Sequence, residues 1–209
     1  MGNIMGEDKL IEVKDLILYQ VATDRYYKVG DVLTFGETYN GQGNRINNSK
    51  FNNGEKSYYN LGYKYLNSKN IFKNKNLLFE ISNSLSESDF VIRELAAEEV
   101  RKELFSNYPS RLKCMFLSDK KEVVLDNLKV MYKKGFGTHF QAIAVKLNGK
   151  LFYAKNVGLQ RNGLSYGKYK DIAREYWSQD QDSNDETKEI LFEGKAEVVE
   201  ILGEYDHKR

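Results

Sequence analysis

The sequence predicts an α+β fold with a mostly antiparallel sheet and its helices in the N-terminal half. Three observations predict it. The run from Asp89 to Phe105 repeats its apolar residues at a helical period, Asn148-Gly149 separates two apolar stretches as a hairpin turn would, and short apolar runs broken by glycine dominate the second half.

Taken in order, Leu16-Ile17-Leu18-Tyr19-Gln20-Val21 is an unbroken aliphatic and aromatic run that suits a strand buried on both faces. Lys28 to Asp31 reads as a turn, and Val32 to Phe35 as a short strand. Phe90, Ile92, Leu95, Ala96, Val100 and Leu104 make the apolar stripe of the first clear helix. Asp89 is its N-cap, Glu94, Glu98, Glu99, Arg101, Lys102 and Glu103 face solvent, and Pro109 lies past its end. Leu112 to Leu117 reads as a buried strand, and Lys120 to Lys134 as a second helix carrying Val123, Val124, Leu128 and Met131, stopped by Gly135 and Gly137. His139 to Leu147 and Lys150 to Ala154 form the hairpin around Asn148-Gly149. Glu189 to Phe192, a turn at Gly194 and a strand from Lys195 to Leu202 complete the chain.

The 209 residues, with one proline and no Ser/Gly-rich linker, read as a single domain over 1–209, with flexible ends at 1–10 and 203–209. Basic residues exceed acidic ones by two, so the net charge argues for neither nucleic acid nor membrane binding. Charge is uneven, however. Between residues 40 and 76, Arg45, Lys50, Lys56, Lys64, Lys69, Lys73 and Lys75 oppose Glu55 alone and alternate with Phe51, Tyr58, Tyr59, Tyr63, Tyr65 and Phe72. Such a segment either tracks a phosphate backbone and stacks bases or is a solvated surface. Cys114 is a buried small hydrophobe, no apolar run reaches membrane-spanning length, and the expected compartment is the reducing cytoplasm.

Two distant histidines, His139 and His207, and no metalloprotease spacing give no expected metal site. His139 at a strand edge is structural, or an acid or base if it faces a cleft. Phosphate-loop and nucleophile-elbow motifs are missing, and Gly41-Gln42-Gly43 reads as loop.

Tyr176-Trp177, the polar and acidic loop from Ser178 to Asp185, and a carboxylate, Glu189, at the start of Ile190-Leu191-Phe192 form the most specific pattern. With the strand ends Leu18-Tyr19-Gln20-Val21 and Cys114 to Asp119, and the run Arg93 to Arg101, this resembles the ADP-ribosyltransferase-like superfamily over Leu16 to Leu202. The resemblance implies an ADP-ribosyltransferase-like fold with a split, mostly antiparallel sheet. It further implies an enzyme that consumes NAD to modify a macromolecular acceptor, protein or nucleic acid, with NAD hydrolysis or a catalytically silent binding module as alternatives. A bacterial toxin or phage-defence effector, held by an antitoxin or inhibitor protein, is the role it suggests.

In that superfamily an Arg or His on the first strand, a hydroxyl residue on a middle strand and a Glu on a late strand converge on the cofactor. Glu189 is the catalytic carboxylate by this correspondence, and Ser118 orients it or the ribose. Tyr19, Phe116 and Tyr176 supply aromatic surfaces, and Arg111 is the bidentate donor to the diphosphate. Gln20 stands where the Arg or His is expected, and it offers hydrogen bonds without a fixed charge. Arg25 or Arg111 could replace that charge.

Overall fold

The computed structural model describes residues 10–42, 44, 75–135, 137–155, 163–178 and 188–207. Most of the basic segment 40–76 and of the acidic loop 178–185 lies outside the described residues. In chain order the elements are β1 (Leu10–Thr23), β2 (Val32–Phe35), α1 (Lys75–Leu104), β3 (Met115–Leu117), α2 (Lys121–Lys134), β4 (His139–Lys155), α3 (Tyr166–Ser178) and β5 (Lys188–Asp206). The fold is α+β, and every strand pairing among the described residues is antiparallel.

The chain divides into two compact units. The first contains 1–38, 108–155 and 180–209, and the second contains 39–107 and 156–179. The two units are interleaved along the sequence, so that no single cut of the chain separates them.

In the first unit the sheet order is β1-β4-β5-β2, with β3 on β5 beside β2. A bridge from Tyr19 to Ser118, with N–H···O distances of 2.9 and 2.8 Å, joins β1 to the end of β3 and closes a circuit β1-β4-β5-β3-β1. All four strands of that circuit contribute to one apolar cluster that includes Leu18, Met115, Leu117, Ile143, Val145, Leu151, Ile190 and Phe192. The opposite face carries a second cluster, in which Val124 and Leu128 of α2 meet Phe140 and Ala142, with Tyr19 and Val21 packed against them. Helix α2 ends at Gly135, whose φ of 67° is a left-handed C-cap that glycine adopts without a Cβ clash.

The expected hairpin at Asn148-Gly149 is corrected. β4 runs unbroken through it for 17 residues, and β5 runs unbroken through the expected turn at Gly194 for 19. The two glycines are paired with each other. A Cβ on Gly149 would lie 2.2 Å from the Glu193 carbonyl oxygen, and one on Gly194 would lie 2.5 Å from that of Asn148. Glycine here permits a close backbone approach between two long strands, which sequence pattern cannot distinguish from a turn. Opposite the same point β1 is irregular between Lys14 and Leu16, and Asp15, at φ 56°, donates its N–H to Asn148 Oδ1 at 3.2 Å.

Three further expectations change. β1 is not buried on both faces, because Ile17 is half exposed. The strand expected over Leu112 to Leu117 is regular only from Met115 to Leu117. In the C-terminal stretch from 203, β5 continues to Asp206 and the His207 ring stacks on Tyr132 at 4.2 Å, while 208–209 lie outside the described residues.

In the second unit α1 extends 14 residues upstream of the expected start, to Lys75. Asp89 is consequently mid-helix and cannot be the N-cap. Its carboxylate accepts hydrogen bonds from the Tyr169 hydroxyl and, at 3.0 Å, from Gly163 N–H. Val91, Ala96, Ala97 and Val100 are buried on α1, as are Tyr169, Ile172, Ala173, Tyr176 and Trp177 on α3. Trp177 Nε1–H donates to the Ala97 carbonyl at 3.0 Å, which satisfies its polar edge in the interior. Glu94 and Glu98, expected on the solvent side, are buried beside Arg93 and Arg101 respectively, while Leu104, expected on the apolar stripe, is exposed. The pairing with Arg is what makes two interior carboxylates tolerable. Among the described residues no helix is long and apolar enough to cross a membrane.

Candidate active site around Glu189

Strand alternation decides which side chains can meet. Ile190 and Phe192 belong to the cluster shared by the four circuit strands, so Glu189 lies on the other face, paired across β4 with Ala154. β3 pairs Leu117 with Ile190, which brings Ser118 beside Glu189 in register, and Ser118 is bridged to Tyr19. Tyr19, Ser118 and Glu189 therefore form a row on one face across β1, β3 and β5. Leu18 and Gln20 fall on the opposite face of β1, so Gln20 does not share the face of Glu189.

Arg111 meets Glu189 directly. Its Nη1 forms an ion pair and hydrogen bond with Glu189 Oε2, with the Arg111 side chain 5% exposed and Glu189 21%. The guanidinium also lies over the Phe116 ring, 5.2 Å from its centroid. The segment after Pro109 is built to hold that arginine. The Ser110 carbonyl accepts from Lys113 and Cys114 N–H at 3.0 and 2.8 Å, and Ser110 N–H donates to Glu193 Oε1 at 3.0 Å. Arg111 is thus fixed at the bend of a tight turn whose flank is tied to β5.

Cys114, in the same turn, has its Sγ 3.8 Å from the Arg111 carbonyl. Burial pushes its thiol well above the ordinary range, outweighing the opposite pull of Arg111. It stays a thiol and is unsuited to act as a nucleophile. On the same face of β4 the Phe152 ring stacks on Tyr108 at 4.4 Å, which adds an aromatic wall.

Of the expected site residues, Glu189, Arg111, Phe116, Ser118 and Tyr19 are gathered in this unit. Arg111 is directed at the carboxylate. Ser118 spends its hydroxyl locally: Oγ donates to the Lys120 carbonyl at 3.3 Å and accepts from Lys120 N–H at 3.2 Å, where the chain enters α2. Tyr176 belongs to the second unit and is buried there. Sequence reasoning missed Tyr108 and Glu193; only the proximity of Tyr108 to Pro109-Ser110-Arg111 hinted at the first.

A second polar group lies at the far end of β4 and β5. His139, Glu204 and Asp206 bring one ligand atom each within 4.8 Å of one another, the one such group among the described residues.

The fold and these contacts define an α+β protein with a carboxylate–arginine pair on the outer face of a strand circuit. The chain belongs to the family described as "Protein of unknown function (DUF2441)", whose model matches residues 18–204. No curated protein matches the chain.

Proposed function

We propose that the chain is an NAD-dependent ADP-ribosyltransferase that modifies a macromolecule, with Glu189 as its catalytic carboxylate. The observation that supports this reading is that Ser118 lies beside Glu189 in register and is bridged to Tyr19 of β1, so that the strands meet in the chain order in which the superfamily places its site strands, although Gln20, at its Arg or His position, faces away. In the reaction the bond between ribose C1′ and the nicotinamide nitrogen breaks, and the electron pair leaves with neutral nicotinamide. A nucleophile of the acceptor bonds to C1′ and gives up its proton. Positive charge develops on the ribose in between, and a fixed carboxylate beside it stabilises the transition state more than the ground state.

Arg111 has a positioning role in this scheme. Its ion pair keeps the Glu189 carboxylate aimed, and its stacking over Phe116 limits its own motion. The pair also has a cost, because the guanidinium charge opposes the cation that Glu189 has to stabilise. Activity therefore requires Arg111 to give part of its hydrogen bonding to another anion, for which the diphosphate of NAD is the available group. Phe116 and Tyr19 are the aromatic surfaces nearest this chemistry, and Gln20 and Tyr176 have no part in it.

The position of Gln20, on the face away from Glu189, favours a second reading, a silent binding module of the same fold. NAD labelled on its adenylate half, incubated with the purified protein and cell lysate, separates the two. Label on protein or nucleic acid that is lost in Glu189→Gln supports the transferase. Free ADP-ribose alone means that water is the acceptor, and no product without NAD binding supports the silent module. The toxin or defence role and an inhibitor partner stay with the same proposal and rest on the resemblance alone, while the cytoplasmic location rests on the lone cysteine and the lack of a membrane-length apolar run.

A further inference from the structure

At the end of the β4–β5 ladder, away from Glu189, two cross-strand pairs present polar groups two residues apart: His139 with Asp206, and Gln141 with Glu204. The His139 side chain is 1% exposed, yet its Nδ1 lies 2.6 Å from Asp206 Oδ1 and 4.0 Å from Glu204 Oε1, and these two carboxylates are half exposed. The ring is held in place. Tyr26 stacks on it at 3.6 Å, and Asp24 Oδ1 accepts from the backbone N–H of Thr138 and of His139 at 2.7 and 3.3 Å. Glu204 is oriented too, because Gln141 Nε2 donates to its Oε2 at 2.9 Å and leaves Oε1 toward the imidazole.

We propose that His139 Nδ1, Glu204 Oε1 and Asp206 Oδ1 bind a divalent transition cation of the Zn²⁺ class, clasping the ends of β4 and β5. One imidazole nitrogen and two carboxylate oxygens are a donor set that suits such an ion and leaves a position open to water. Gln141 and Tyr26, whose hydroxyl lies 3.4 Å from Asp206 Oδ1, act behind the ligands and fix their directions. Nδ1 has to be unprotonated to bind the ion, so in the neutral imidazole the proton that faces Asp206 moves to Nε2 as the ion takes its place. Nε2 is buried with no partner among the described residues, and the N–H donor left there is a cost that coordination of the ion has to outweigh.

The test uses the full chain, free of any affinity tag, titrated with Zn²⁺ by calorimetry and with Co²⁺ by visible absorption. Glu204 and Asp206 are exposed enough for Glu204→Gln and Asp206→Asn to fold, which circular dichroism checks. We expect saturable one-to-one binding to the parent chain, weakened at least about tenfold in each variant. Absence of Zn²⁺ and Co²⁺ binding by the parent chain overturns the proposal and leaves a plain imidazole–carboxylate hydrogen bond. Binding unchanged in either variant overturns it as well, since the ion then sits elsewhere.

Discussion

Separating Glu189 from Arg111 tests the site at its most constrained contact. Removing one partner of a buried ion pair leaves the other charge desolvated and costs about 3–5 kcal/mol. The two partners are unequally buried, 5% exposed for Arg111 and 21% for Glu189. Glu189→Ala leaves an enclosed guanidinium and should cost about 3 kcal/mol, discounted to the lower end because Glu189 already has some solvent. Arg111→Met leaves a carboxylate that water can reach and should cost less, about 2 kcal/mol. The double variant Arg111→Met/Glu189→Leu removes both charges, so its cost should fall short of the sum of the singles by about 2 kcal/mol. Urea unfolding followed by circular dichroism reads this: with a slope near ~2 kcal/mol/M, Glu189→Ala lowers the midpoint by about 1.5 M. Costs that add within about 0.5 kcal/mol would refute the coupling.

Two other perturbations examine the frame. Gly149→Ala should destabilise by about 2 kcal/mol through overpacking, more than Gly135→Ala, because its Cβ would meet the Glu193 carbonyl while nothing lies within 4 Å of one on Gly135; equal thermal shifts for the two would contradict the close-approach role. The backbone N–H of Thr138, followed by its hydroxyl, holds the Asp24 carboxyl below its usual value. Its stabilisation is therefore present above the unfolded value near ~3.9 and lost as pH falls through the lower folded value. In melting temperatures taken across that acid range, Asp24→Asn should flatten the decline, and an unchanged profile would remove Asp24 as a cause.

The α+β class and the helix over Lys121–Lys134 were legible because apolar period and a glycine C-cap agree there. Gly149 and Gly194 misled, since a glycine that lets two strands approach and a glycine that turns a chain look alike until the partner strand is known. The burial of Glu94 and Glu98 was illegible for a related reason, as charge marks a residue for the surface unless its arginine is seen beside it. Within the site, Glu189, Ser118 and Tyr19 were legible as strand-end residues in the order of a known superfamily. That Arg111 would face Glu189, and that Gln20 would face away, depended on strand register and on the turn after Pro109. His139, Glu204 and Asp206 gave no motif, because 67 residues separate the first from the last and only the β4–β5 ladder joins them.

The most direct test of the central claim is release of nicotinamide from NAD by the purified protein, compared among the parent chain, Glu189→Asp and Glu189→Gln, each confirmed folded by circular dichroism. Release by the parent chain, partial retention with the shorter carboxylate and loss with the neutral isostere are expected. Release that persists in Glu189→Gln, or a parent chain that neither binds nor cleaves NAD, would contradict that claim.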